Sequence, residues 1–199
     1  MKLALISMRL EFATLLLLSQ SAAIAQEAPV IKPMAEMRVT ELPAGPLFWR
    51  LENFPTLTQA QAAAGPLGLV AQAEDRVWLF TLGARGGISA GGTKVAEIGP
   101  IPKVVATQYL LRIQEAIVSP GGGSAVHAHP GSESFYVVAG ERSTRTPGGV
   151  SRVSAGEGAP GPSVGTPQQV LNRGSTDMRA LVMFVLDAAL PPSSPAQLP

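Results

Sequence analysis

The sequence predicts an all-β fold, an antiparallel barrel or sandwich, on two observations. Its 199 residues include 21 glycines and 18 prolines, and between them lie short apolar runs of strand length. Only one short stretch, "FPTLTQAQAAAGP", has the character of a helix. Closely spaced short strands joined by turns are typical of a closed or two-layered antiparallel sheet. The length suits one domain, or one domain with an extension.

The first 25 residues predict a secretory signal peptide. Lys2 and Arg9 precede an apolar run that ends in Ala23-Ile24-Ala25, an A-x-A cleavage pattern. The run is shorter than the roughly 20 residues of a spanning helix, which favours a leader over the alternative of a membrane anchor. We therefore expect cleavage after Ala25, a secreted or periplasmic protein, and no stable membrane span once the leader is removed.

The region before the main group of strands divides into two parts. Residues 26–45 are polar and contain several prolines, and they predict an extended arm with one short strand near 37–42. Residues 46–103 predict an N-terminal extension that packs on a barrel or mediates a homodimer. A second barrel is the structural alternative, but about 70 residues are short for a barrel and a linker.

The extension contains one helix and one hairpin. Thr56 or Thr58 can serve as the N-cap of a helix that runs to Ala64 and stops at a Gly-Pro pair. Two apolar runs, 69–72 and 77–82, flank an acidic turn and predict a β-hairpin.

Residues 104–189 predict the barrel itself. Six β-type runs follow one another here: "TQYLLRIQEAIV", "SAVHAH", "ESFYVVAGE", "STRTPGGVSRVS", "QQVLN" and "RALVMFVLDA". Glycine, proline and asparagine turns separate them. The proline-rich segment 190–199 predicts a disordered tail.

Charge and motifs exclude several classes of function. The chain has 15 basic and 14 acidic side chains and no basic tract, so nothing favours a nucleic-acid partner. It has no cysteine, which excludes disulfides and a lipid-modified cysteine. No glycine-rich phosphate loop and no G-x-S-x-G elbow is present, which argues against a nucleotide cofactor and a serine hydrolase.

The two histidines of the chain lie together, at His127 and His129. Residues two apart in a strand face the same side, so both imidazoles project together if "AVHAH" is a strand. A turn at Pro130-Gly131 then brings Glu133 onto the partner strand, near the imidazoles. Two imidazoles and a carboxylate suit iron, manganese, nickel, cobalt or zinc. The plain alternative is a pair of unrelated histidines in a loop.

The spacing around these residues resembles a known motif. Gly121-x5-His127-x-His129-x3-Glu133-x6-Gly140 is similar, at every specified position, to the first motif of the cupin superfamily, G-x5-H-x-H-x3,4-E-x6-G. The resemblance covers roughly 104–189. It implies a cupin-like antiparallel β-barrel, also called a double-stranded β-helix or jelly roll. It also implies that the two histidines and the glutamate bind a divalent metal inside that barrel.

The second cupin motif is recognisable but altered. The family pattern G-x5-P-x-G-x2-H-x3-N corresponds to "GEGAPGPSVGTPQQVLN", which ends at Asn172. Alignment on Asn172 places Gly165 at the motif glycine and Gln168 where the family has a third histidine. Alignment on Gly156 differs by one residue. A glutamine oxygen is a weaker ligand than imidazole, so Gln168 is a fourth, labile ligand, a hydrogen-bond donor to a substrate, or a polar residue that lines the barrel mouth.

Two functions remain open from the sequence. The first is a metal-dependent, dioxygenase-like enzyme acting on a small organic molecule, in which Glu133 also moves protons and Phe135 and Val137 line the pocket beside it. The second is a non-catalytic module that holds a small ligand with weak metal binding or none. The glutamine at position 168 favours the second function.

Overall fold

The computed structural model of the protein describes residues 26–199. The predicted signal peptide lies outside the described residues. Among residues 26–199, no helix combines the length and the apolar character needed to cross a bilayer.

Fourteen strands and one helix make up the described part of the chain. The N-terminal elements are β1 (Val30–Val39), β2 (Phe48–Phe54), α1 (Leu57–Ala63), β3 (Gly68–Ala73), β4 (Arg76–Gly83) and β5 (Thr93–Ile98). The remaining strands are β6 (Tyr109–Val118), β7 (His127–Ala128), β8 (Gly131–Ala139), β9 (Glu141–Thr146), β10 (Gly149–Ser154), β11 (Gly158–Pro160), β12 (Gln169–Leu171), β13 (Met178–Asp187) and β14 (Ser194–Pro195).

A five-stranded antiparallel sheet, in the order β1-β6-β13-β8-β11, forms the centre of the fold. Its middle strand β13 is buried on both faces, which explains the uninterrupted apolar run "ALVMFVL" in the sequence. One set of alternate side chains, Leu181, Met183 and Val185, belongs to one core, whereas Val182 and Phe184 belong to another. The central sheet therefore separates two hydrophobic cores.

The four-stranded N-terminal sheet, in the order β3-β4-β2-β5, covers the outer face of the central sheet. Trp49, Trp78 and Phe80 lie in this outer core and are almost completely buried. Tyr136 reaches the same core from β8, with its ring 6.1 Å from that of Trp78. The helix begins after Thr56, whose side chain accepts a hydrogen bond from the Gln59 backbone amide at 3.2 Å. The predicted helix and extra strands are thereby confirmed.

The barrel interior lies on the other face of the central sheet. There the sheet β10-β9-β12 and the short pair β14-β7 close the barrel. Phe135, Val137, Val153 and Val170 pack in this inner core. The fold is thus the predicted antiparallel β-barrel, with a short helix and extra strands before it.

Two terminal segments differ from the sequence predictions. The arm does not carry a short strand at 37–42: it forms β1, a ten-residue edge strand paired with β6, with a register shift at Pro33. The tail, predicted to be disordered, instead pairs Ser194 and Pro195 with β7. In both cases tertiary pairing outweighs a local composition of prolines and polar residues, because the partner strands offer unpaired backbone groups.

Candidate metal centre

The two histidines lie at the mouth of the barrel on the short strand β7 and the residue that follows it. Backbone hydrogen bonds join His127 and Gln168 in both directions, at 2.9 and 2.8 Å. The imidazole rings of His127 and His129 are 4.8 Å apart, centroid to centroid, and meet edge to face. The predicted projection of both rings to one side is therefore observed.

The Nδ1 atom of each histidine is occupied by a backbone carbonyl. The His127 Nδ1–H donates to the Ala125 oxygen at 2.9 Å, and the His129 Nδ1–H donates to the Pro192 oxygen at 2.7 Å. A carbonyl can only accept, so Nδ1 carries the proton in both rings and Nε2 is left for another partner. This arrangement is common for histidines that bind metal through Nε2.

Glu133 lies on β8 and is 3% exposed. Its Oε2 accepts from the Gln168 side-chain amide at 2.6 Å and lies 3.1 Å from Nε2 of His129. Its Oε1 pairs with the Arg142 guanidinium. The carboxylate therefore has two donors, the Gln168 amide and the Arg142 guanidinium, and it gains a third from His129 only when that imidazole is protonated.

Arg142 is a site residue that the sequence analysis missed. It lies on β9, is 2% exposed, and its guanidinium stacks over the Phe135 ring at 3.8 Å from the centroid. Its Nε also donates to the Thr144 hydroxyl at 3.3 Å. The alternation of "ERSTRT" places Arg142 and Thr144 on one face, but an arginine in a polar strand is usually exposed. The alternation alone was therefore too weak to predict that Arg142 is buried in the site.

The pKa values of the cluster follow from burial and from these contacts. Burial alone would raise the pKa of Glu133, but Arg142 and His129 hold it well below its usual range. Burial lowers the pKa of His127. Burial acts the same way on His129, but the contact with Glu133 outweighs it and raises the pKa of that imidazole. Glu133 therefore stays ionised at neutral pH, which suits a role in binding a cation better than a role in carrying a proton.

The three predicted ligands fit a metal ion. The potential ligand atoms of His127, His129 and Glu133 all lie within 4.8 Å of one another. Gln168 is 1% exposed, and its Oε1 has no hydrogen-bond partner among the described residues. A buried acceptor without a donor is costly, and a cation or a ligand hydroxyl would satisfy it. The structure therefore brings Gln168 to the site, and its role as a ligand stays a prediction.

A cavity of about 380 Å³ adjoins the site. Its walls are mainly apolar, with a few polar side chains, and include Arg112, His127, Phe184, Leu186 and Pro192. The predicted pocket residues do not line this cavity. Phe135 lies beneath the guanidinium of Arg142, and Val137 is fully buried in the inner core. They do share the face of Glu133, as predicted, but both are almost completely buried in the inner core.

The family comparison agrees with this geometry. Residues 114–184 match the family model Cupin_2, described as a cupin domain. This part of the chain is similar to a cupin domain. The resemblance drawn from the motif spacing is thereby confirmed.

Both ends of the first cupin motif require glycine. Gly121 and Gly140 have φ of 76° and 71°, in the left-handed region that side chains other than glycine rarely adopt. At Gly140 a Cβ would also lie 2.8 Å from the Asp177 backbone oxygen. These two turns set the strands that carry the histidines and Glu133.

The structure brings the segment aligned on Asn172 beside the first motif. That side chain is buried and donates to the backbone oxygens of Val118 and Thr176, both at 2.8 Å. Seven residues earlier, the Gly165 amide donates to the His129 backbone oxygen at 3.0 Å. The segment between them therefore runs beside the first motif, which is why Gln168 meets Glu133.

Several solved structures are similar to parts of this chain. They include the polyketide cyclase RemF from Streptomyces resistomycificus, with 25% identity over 45% of this chain and 62% of that chain and a TM-score of 0.38. The DMSP lyase DddQ from Ruegeria pomeroyi has 23% identity over 43% of each chain and a TM-score of 0.38.

A conserved protein with a double-stranded beta-helix domain from Klebsiella pneumoniae has 24% identity over 44% of this chain and 75% of that chain, again with a TM-score of 0.38. The chain spans less than two thirds of the length of the first two of these proteins. No curated protein matches.

Proposed function

We propose that this cupin domain binds a divalent transition metal through Nε2 of His127 and His129 and the carboxylate of Glu133, and that it acts on a small organic molecule held in the adjacent cavity. The observation that carries the proposal is the fixed tautomer of both imidazoles. Each Nδ1–H is bound to a carbonyl, so both rings offer only Nε2 to the space they share with Glu133. Iron, manganese, nickel, cobalt and zinc all suit this donor set.

The residues around such a site have separate roles. Glu133 supplies the one negative charge that compensates the cation, and Arg142 and Gln168 keep its carboxylate in place. A carboxylate has about four lone-pair positions, so these contacts leave room for a metal bond. When bound, the metal would supply Lewis acidity and open positions for substrate or dioxygen. We propose more specifically that the reaction is dioxygenase-like.

The cavity determines what kind of molecule can approach. Phe184 and Leu186 offer apolar contact area, while Arg112 and Gln114 offer polar anchors on the same wall. His127 lies in the wall as well, so a molecule in the cavity would contact one of the three proposed metal ligands. A volume of about 380 Å³ suits a small organic molecule rather than a polymer.

A second function is favoured by one specific observation. Arg142 forms a buried ion pair with Glu133, and glutamine stands where the family has histidine. Both features weaken a metal site, because the carboxylate already has a cationic partner and the fourth ligand is neutral. A non-catalytic module that holds a small ligand in the same cavity is the alternative.

Metal analysis tests the first function. The protein is purified without added metal, its metal content is measured, and cobalt(II) is then titrated and followed by visible absorption. We expect one equivalent to bind, and His127→Ala or Glu133→Gln to abolish that binding. Glu141→Gln is the matched control, since Glu141 lies on β9 and its nearest cationic partner is Arg152 at 3.9 Å. Absence of stoichiometric metal at any loading would eliminate the metal-dependent function.

Oxygen uptake separates the enzyme from the binding module. Metal-loaded protein is incubated with a panel of phenols and diketones, and oxygen consumption is followed beside the Glu133→Gln variant. Consumption that depends on Glu133 supports the enzyme. Metal binding without turnover of any member of the panel favours the binding module.

Export and self-association complete the proposal. We propose that residues 1–25 direct the chain out of the cytoplasm and are cleaved after Ala25. Intact mass measurement of protein from the exported fraction tests this proposal, and an intact leader there would refute it.

A homodimer stays a prediction. Light scattering on the purified protein, which gives its molar mass in solution, decides it.

A further inference from the structure

We propose that the C-terminal tail, residues 190–199, is a positioning element of the site, in which the backbone carbonyl of Pro192 fixes the tautomer and orientation of His129. Its consequence for metal affinity rests on the proposed function, whereas its consequence for the His129 ring does not. No motif in the tail predicts this role.

The contact that carries the inference spans 63 residues of sequence. The Nδ1–H of His129 donates to the Pro192 oxygen at 2.7 Å, and the His129 side chain is only 11% exposed. A buried imidazole must satisfy its N–H, and water has little access to it here. Without the Pro192 carbonyl, the ring would lose the acceptor that selects the Nδ1–H tautomer, and Nε2 would no longer be reserved for a metal.

Further contacts hold that carbonyl in place. Ser194 and Pro195 pair with Ala128 and His127 as the strand pair β14-β7, and the Ala196 amide donates to the Val126 oxygen at 3.1 Å. The tail is therefore fixed along the strand that carries the histidines. It is not a free end that happens to touch a ring.

The tail also forms part of the cavity. Pro192 and Ser193 line the same wall as His127. The same segment therefore contacts the His129 ring and lines the cavity that His127 also lines. A purely packing role would not require the carbonyl to point at an imidazole nitrogen.

His127 provides an internal comparison. Its Nδ1–H donates to the Ala125 oxygen, which lies only two residues away and belongs to the same segment. The tautomer of His127 therefore has a local acceptor, whereas the tautomer of His129 has an acceptor that only the tail supplies. Loss of the tail carbonyl should change one ring and spare the other.

Two truncations test the proposal on an otherwise complete chain. A chain ending at Pro191 lacks the carbonyl and β14. A chain ending at Ala196 keeps both and removes only residues 197–199, so it is the matched control. Pro192→Gly, in the full-length chain, keeps the carbonyl but loosens its backbone, and serves as a milder variant if the shorter chain folds poorly.

The first readout is the tautomer of each ring in metal-free protein, from two-bond ¹H–¹⁵N correlation spectra of the imidazoles. We expect His129 to show the Nδ1–H form in the full chain and in the control, and a mixture of forms in the chain ending at Pro191, while His127 keeps its Nδ1–H form. Identical His129 spectra in the two truncations would overturn the inference.

The second readout is the Kd for cobalt(II). It should rise about 10- to 100-fold in the chain ending at Pro191 and stay unchanged in the control, as expected when the partner of a metal-binding histidine is removed. If the full-length chain binds no cobalt, the proposed function fails while the tautomer readout still decides the role of the tail. Equal Kd values in both truncations would count against the tail.

Discussion

The two faces of the central sheet are built from the same strands but contain different chemistry. The outer face is an apolar layer sealed by the tryptophans of the N-terminal sheet. The inner face holds apolar side chains and, towards the barrel mouth, the buried charge of Glu133, which Arg142 of β9 pairs with from a different sheet. Alternation along a strand allows this, because neighbouring residues face opposite sides. One sheet therefore supplies a stable support on one side and a polar site on the other.

The largest effect should come from the outer face. Leu181 is fully buried there, and Leu181→Ala is expected to lower the free energy of unfolding by about 3 kcal/mol, since it removes apolar contacts and leaves a cavity. Urea unfolding measures this change. If the two faces are independent, the folded variant should bind cobalt(II) with the wild-type Kd; a changed Kd would show that outer packing sets the geometry of the site.

A comparable effect, of a different kind, should come from Arg142. Arg142→Met leaves Glu133 as a buried carboxylate without its main cationic partner, and we expect the metal-free protein to lose about 3 kcal/mol of stability. A bound divalent cation compensates the carboxylate, so metal should restore more stability in this variant than in the wild type. Thermal unfolding with and without cobalt(II) checks this. Arg145→Met, on the exposed side of the same strand, is the control, and equal metal effects in all three proteins would contradict the prediction.

Gln168→His should strengthen metal binding at the inner face. An imidazole at this position adds a ligand that transition metals prefer to an amide oxygen, and we expect cobalt(II) to bind about tenfold more tightly, or about 1.4 kcal/mol. Competition titration measures the Kd. Gln169→His, next to it but turned away from Glu133, should leave the Kd unchanged. An unchanged Kd for Gln168→His would mean that the side chain at 168 does not reach the metal.

The smallest effect should come from an ion pair that joins the central sheet to the N-terminal sheet. Arg179 of β13 contacts Glu74, in the turn between β3 and β4, at 2.6 Å, and this contact lowers the pKa of Glu74. A lowered folded pKa means that the pair stabilises the protein above the unfolded pKa of Glu74 and stops doing so as pH falls through the folded value. Both side chains are partly exposed, so Glu74→Gln should cost only about 0.5 kcal/mol at neutral pH. Urea unfolding at pH 7 should show this difference, and it should vanish in strongly acidic buffer.

The parts of this molecule that follow from local patterns could be predicted from the sequence. Motif spacing places His127, His129 and Glu133 together, because the three lie within seven residues of one another. The predicted pairing of their two strands was wrong, since β7 pairs with β14 and β8 pairs with β11 and β13. The helix and its Thr56 cap likewise depend on neighbouring residues. Gln168 could be placed because the second motif has its own anchor in Asn172.

The rest depends on pairings between distant segments. Pro192 reaches His129 only because the tail pairs with β7, and nothing in "PPSSPAQLP" indicates a strand. Arg142 is buried only because Glu133 and Phe135 lie on β8, which belongs to the central sheet and not to the sheet of β9. The ten-residue length of β1 depends on β6, some 80 residues further along the chain. Composition describes the environment of a residue on average, and these residues occupy uncommon environments.

The two edges of the central sheet are poorly suited to pairing with a further strand. Its two outermost strands are β1 and β11, and each contains a proline, Pro33 and Pro160. On β1 the proline coincides with a register shift, and the exposed charges of Lys32 and Arg38 flank it. Prolines, bulges and charged side chains all hinder the addition of a further strand, so this sheet is protected against edge-to-edge aggregation. Self-association of this protein should therefore use a face of a sheet rather than its edge.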